Sequence, residues 1–143
     1  MDREELVVVA SHGDESVQPE EKDAAEQWRL GAVYHYGIGV QRDDAEALRW
    51  FRMAAKEGNV LAQIKVGEIY RKGQYVPRDY ATALRWFRLA AERGDARAQQ
   101  YLADMYRWGE GVRQDNAEAL RWYRLAAEQG NEVARRRLTD MSA

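Results

Sequence analysis

The sequence predicts an all-α fold, an α/α solenoid of three 36-residue helix-turn-helix repeats closed by a C-terminal capping helix. Three observations predict it. The stretch Ala45 to Gly58 (Ala-Glu-Ala-Leu-Arg-Trp-Phe-Arg-Met-Ala-Ala-Lys-Glu-Gly) returns as Ala81 to Gly94 and again as Ala117 to Gly130, with Trp50, Trp86 and Trp122 each 36 residues apart. A fixed period of this length marks a repeat architecture. Within each copy the apolar positions, Ala47, Leu48, Trp50, Phe51, Ala54 and Ala55 in the first, form a stripe of helical period. Glycines recur at the same period, Gly37, Gly73 and Gly109 after one helix and Gly58, Gly94 and Gly130 after the other, where helix ends favour a left-handed residue.

Taken in order, residues 1–24 show no helical period. They carry eight acidic side chains against Arg3 and Lys22, a net of −6, leaving +4 on the rest of a chain whose net charge is −2. Leu6-Val7-Val8-Val9-Ala10 is a β-prone patch within this tail. Two readings are open: a flexible acidic tail, or docking of Leu6 to Ala10 into a groove, the chain's own or a neighbour's. From Ala25 the repeat domain runs to residue 143, with units of about 25–60, 61–96 and 97–130 and a cap over 131–142.

Each unit reads as two antiparallel helices. The first helix A spans about Ala25 to Tyr36, with Leu30 and Tyr34 one turn apart on one face, matched by Val66 and Tyr70 and by Leu102 and Tyr106. The small residue Gly31, repeated as Gly67 and Ala103, allows a neighbouring helix to approach closely. A Gly-x-Gly-Val connector follows in units one and three. Unit two has Tyr75 for the second glycine and Pro77 beyond it, so its turn is expected to differ locally and Tyr75 to stand at the surface. Helix B opens at Asp43, Asp79 and Asp115. Glu46 and Glu118 complete a capping box in units one and three, whereas Thr82 in unit two is expected to lose the reciprocal bond. The arginines flanking each tryptophan should lay their stems along the rings. Asn59, Asp95 and Asn131 start the next helix A, and the last of these, about Asn131 to Met141, covers the final interface as solenoid ends require.

The chain has no cysteine, which rules out disulfides, thiolate metal sites and a cysteine nucleophile. No apolar run approaches the roughly 20 residues a membrane span needs. The acidic N-terminus is unlike a signal peptide, so a cytoplasmic location is expected, or a periplasmic one if a signal was removed. The mixed charge of the helices, without a basic cluster, argues against nucleic acid.

The pattern Ala-x-x-x-Leu-Gly-x-x-Tyr-x-x-Gly-x-Gly-Val-x-x-Asp-x-x-x-Ala-x-x-Trp-[Phe/Tyr]-x-x-Ala-Ala-x-x-Gly, best carried by Ala98 to Gly130, closely resembles the Sel-1-like repeat, a relative of the tetratricopeptide repeat. The resemblance covers about residues 25–142. Unit one departs at Glu26, where Ala62, Ala98 and Ala134 stand in the others. It implies a right-handed superhelix whose helices A line a concave face that binds proteins or peptides. It further implies a non-catalytic adaptor in bacterial signalling, envelope or secretion processes, with an immunity protein neutralising a secreted toxin as the alternative. The cysteine-rich secreted branch linked to the cell wall ties its repeats with disulfides, which this chain lacks.

On that resemblance, the face of helix A turned from helix B supplies the partner-binding residues. In the first unit these include Trp28, Ala32, His35 and Tyr36; in the second Ile64, Glu68, Arg71 and Lys72; in the third Gln100, Asp104, Arg107 and Trp108; and Arg136 from the cap. These positions vary between units while the packing positions barely change. Aromatic residues beside arginines match the composition of binding hot spots. Arg71, Lys72 and Arg107 favour carboxylates, and Trp28, Ile64 and Trp108 accept apolar anchors, which suggests an acidic segment with apolar anchors as ligand. The tail itself has that character, so self-docking or exchange of tails between copies is a further expectation.

Catalysis is not expected. Two histidines, His12 and His35, fall short of the three or four ligands of a zinc site. The serines (Ser11, Ser16, Ser142) lie in the termini, so no triad rests on a rigid element. The Gly-x-Gly pairs are required by the turns and form no phosphate loop. An enzyme acting on cell-wall or peptide substrate would have to be built around His35. No cofactor is implied.

Overall fold

The computed structural model describes residues 22–142. The tail readings, Leu6 to Ala10 and His12 included, lie outside them. Seven helices and no strand occur among the described residues: α1 (Ala24–Tyr36), α2 (Asp44–Lys56), α3 (Val60–Lys72), α4 (Tyr80–Glu92), α5 (Ala96–Trp108), α6 (Asn116–Glu128) and α7 (Glu132–Ser142). Odd-numbered helices correspond to helix A and even-numbered ones to helix B. The chain divides into two compact units, residues 1–66 and 67–143.

In the first unit α1 packs on α2. Leu30 and Val33 of α1 meet a core built from Ala47, Leu48, Trp50, Phe51, Ala54 and Ala55, the stripe that the helical period marks out. The packing depends on Gly31, where an added Cβ would lie 2.5 Å from the Phe51 ring. In the second unit Gly67 faces Phe87 in the same way, at 2.6 Å. There α4 packs on α5, α5 on α6 and α6 on α7, around Phe87, Leu102, Met105 and Tyr123.

The helix ends repeat in detail. Asn59, Asp95 and Asn131 accept at Oδ1 from the backbone N–H of Ala62, Ala98 and Ala134, at 2.9, 2.9 and 2.8 Å. The capping boxes of the helices B form only by half. Asp43, Asp79 and Asp115 each accept from the amide three residues on. Their own N–H groups, however, donate to the carbonyls of Tyr34, Tyr70 and Tyr106 on the preceding helix A. With that donor engaged, Glu46 and Glu118 turn to Arg49 and Arg121 instead. Thr82, expected to weaken its cap, adds a hydroxyl bond of 2.7 Å to Asp79, and this bond is the main reason the Asp79 carboxyl sits below its usual range.

The connector of unit two also departs from expectation. Tyr75 is exposed, but its backbone takes φ of 34°, on the same left-handed side as Gly39 (73°) and Gly111 (70°). The turn is kept despite the side chain. As expected, the guanidinium groups of Arg49 and Arg121 lie over Trp50 and Trp122, 4.9 and 4.5 Å from the ring centroids.

Candidate functional site

In the first unit the helix-A candidates sit at three depths. Trp28 is half-buried against Phe51, with ring centroids 5.0 Å apart, and Ala32 is also half-buried. Ile64 is 2% exposed and belongs to the interior. Tyr36 is 69% exposed and meets the His35 ring edge-on at 4.7 Å. The His35 imidazole lies 4.0 Å from the Asp44 carboxylate. Burial, reinforced by Lys65 and Arg42, pushes its pKa below the usual histidine value although Asp44 pulls the other way. The shift favours the neutral imidazole. Among the described residues no three His, Cys, Asp or Glu side chains group where they could hold a metal ion.

In the second unit three of the six charges assigned to a partner are engaged in ion pairs within the protein. Glu68 is buried and pairs with Arg97 at 3.2 Å. Arg71 donates to Glu110 at 2.9 Å and stands over the Tyr101 ring. Asp104, 2% exposed, accepts from Gln100 at 2.7 Å, from Arg137 at 3.2 Å and from the Tyr123 hydroxyl. Burial and then the Asp104 carboxylate hold that hydroxyl's pKa far above the usual tyrosine value. These three bonds satisfy a carboxylate that would otherwise be costly to bury.

What the second unit leaves toward solvent is narrower. Trp108 is 49% exposed, and the guanidinium groups of Arg107 and Arg137 lie 5.1 and 5.2 Å from its ring centroid. Lys72 on α3 and Arg136 on α7 are also exposed. Arg137 thus links Asp104 and Trp108. It fixes α7 to Asp104 and covers one side of Trp108.

Three features escaped the sequence reading. Glu110, in the connector, is the partner of Arg71. Tyr123 replaces the phenylalanine of the other helices B in the unit where Asp104 waits for a donor. Gln27, Gln63 and Gln99, also 36 apart, are buried. The amides of Gln63 and Gln99 donate to the carbonyls of Ala55 and Ala91 at the end of the preceding helix B. Their common spacing was the available signal.

The Sel1 repeat model matches residues 27–59, 60–95 and 96–131. The chain belongs to the Sel1 repeat family. Its fold class is accordingly the all-α solenoid of that family, and Sel1 repeats are modules of protein–protein interaction. A Sel1 repeat protein from Oxalobacter formigenes is similar at 37% identity, with a TM-score of 0.79 over 96% of each chain. The antigen c5321 of uropathogenic Escherichia coli, described as protective and as displaying an SLR fold, is 39% identical with a TM-score of 0.79. That match covers 94% of this chain and 27% of the antigen. Helicobacter pylori cysteine rich protein B shares the fold alone, at 16% identity and a TM-score of 0.66 over 94% of this chain and 95% of that one. No curated protein matches the chain.

Proposed function

We propose that this Sel1 repeat protein is a non-catalytic binding module that holds an acidic segment of a protein partner, with an apolar anchor, on the helix-A face of residues 67–143. Trp108 carries this reading. A tryptophan about half exposed, with two guanidinium groups 5.1 and 5.2 Å from its ring centroid, offers apolar surface with positive charge on hand for carboxylates beside the anchor. Lys72, Arg107 and Arg136 extend the charge. Glu68, Arg71, Gln100 and Asp104 act one layer deeper, as the bonded frame that holds α3, α5 and α7 in register. On the first unit Tyr36, beside His35, is the corresponding exposed ring, while Trp28, packed on Phe51, and Ala32 are half-buried.

The test is capture from lysate of the native host by the wild type and by the Trp108→Ala/Arg107→Glu double variant, followed by titration of the captured protein. Arg71 is left intact, because a carboxylate there would face Glu110. The expected result is one dominant protein whose affinity drops at least about tenfold in the double variant, the loss typical of a hot-spot aromatic. If the same protein binds both forms equally, the assignment to this face fails.

A further inference from the structure

The first unit has a second surface, on the helix-B side. Here α2 and the first turn of α1 enclose an open cleft of about 400 Å³. Leu48 and Met53 supply apolar wall, Arg49, Arg52 and Lys56 supply positive charge against the single carboxylate of Glu57, and Gln27 of α1 also lines it. Arg49 is engaged by Glu46. Arg52 and Lys56 are exposed and have no hydrogen-bond or ion-pair partner among the described residues.

We infer that this cleft is the seat of the chain's own N-terminal segment, residues 1–21, with Leu6 to Ala10 against Leu48 and Met53 and the flanking carboxylates toward Arg52 and Lys56. Three observations lead there. The first is charge: the segment carries seven acidic side chains against Arg3, and an apolar run between its acidic blocks, which complements a cationic cleft with apolar walls. The second is place. The chain enters α1 at Asp23, and Gln27, four residues on, already lines the cleft. Leu6 to Ala10 lie 13 to 17 residues before Asp23, a reach of at least about 40 Å when extended, whereas α2 is only about 20 Å long.

The third is the repeat itself. Gln63 and Gln99 each donate to a carbonyl eight residues upstream, at the end of a helix B. Gln27 stands in the same register, and eight residues before it is Pro19. Residues 9–21 do not repeat the helix-B pattern: Asp14 stands where the repeat has tryptophan, and Gln18 and Pro19 where it has the alanine pair. The flank that later helices A give to a preceding helix B thus has, at α1, no helix-B sequence before it in register. The acids of the N-terminal segment suit the arginines that the helix B of unit one presents there.

Hydrogen exchange of the full-length protein tests this. Amides 6–10 are expected to exchange at least about tenfold more slowly than in a synthetic peptide of residues 1–21, equally at low and high protein concentration. Arg52→Glu/Lys56→Glu, at exposed positions, and separately Val8→Asp, outside the repeats, should each restore the free-peptide rate. Exchange at the free-peptide rate in the wild type would overturn the inference. Protection that grows with concentration would overturn it in favour of a second copy's tail, and protection untouched by the Arg52/Lys56 variant would place the segment elsewhere.

Discussion

At Asp104 one carboxylate ties three helices. It belongs to α5 and accepts from Tyr123 of α6 and Arg137 of α7, while Gln100 occupies the same helix one turn earlier. The corresponding positions of the other units are Ala32 and Glu68, and the residues at the position of Tyr123 are phenylalanines without a hydroxyl. Tyr123→Phe should therefore destabilise the protein by about 1–3 kcal/mol, because a buried acceptor loses a donor while the ring volume is kept. The pH dependence follows from the raised hydroxyl pKa. The unfolded chain ionises this tyrosine near pH 10, the folded protein only at higher pH. Its contribution is thus complete below about pH 10 and is lost as pH rises through the folded value. Urea denaturation across pH 8–11 should show the wild type losing more stability above about pH 10 than the phenylalanine variant. Equal losses would mean that Tyr123 is no more protected than the other tyrosines.

At the scale of the element, helix boundaries were legible to within a residue or so, since they depend on local chemistry: an Asp or Asn that caps, a glycine that ends. The capping boxes were not, because the competitor for the Asp43 N–H is the Tyr34 carbonyl of another helix, which no window around Asp43 contains. Tyr75 shows the same limit in reverse. Its side chain disfavours positive φ, yet the turn is held from both sides by bonds such as Gly73 N–H to Ile69 and Asp79 N–H to Tyr70. The buried glutamines join one element to the next. Gln99 donates to Ala91 and accepts from Gln129 at 2.9 Å, which makes it a junction between α4, α5 and the end of α6. Gln99→Leu should cost about 1–2 kcal/mol in chemical denaturation, the worth of its lost bonds offset partly by apolar burial. Gln129→Ala should cost less, since that side chain is exposed and its backbone acceptor, Gly94, lies at the surface. A larger effect at Gln129 would show that the junction is not where the stability resides.

Over the whole chain the fold was readable because a period needs no knowledge of contacts, whereas the site was readable only in composition. The residue types on the helix-A face were foreseen. Their pairing was not, since Arg71 meets Glu110 across 39 residues and Arg137 meets Asp104 across 33, separations that fit no helical spacing. A repeat protein whose elements contact only their neighbours should be least stable at its ends. In the second unit α7 is such an end: it packs on α6, and Ala134 is its one buried residue. Its amides should exchange through local opening, faster than those of Leu102 and Met105 in the core of α5. Arg137 is the polar tie that opposes this opening. Arg137→Gln should accelerate exchange throughout α7 by about tenfold, with a smaller change at Leu102 and Met105. It should also uncover one side of Trp108, shifting its fluorescence toward that of a solvated indole. An equal acceleration in α5 and α7 would mean that the cap opens only with its unit, and that Arg137 acts on global stability rather than on the docking of the last helix.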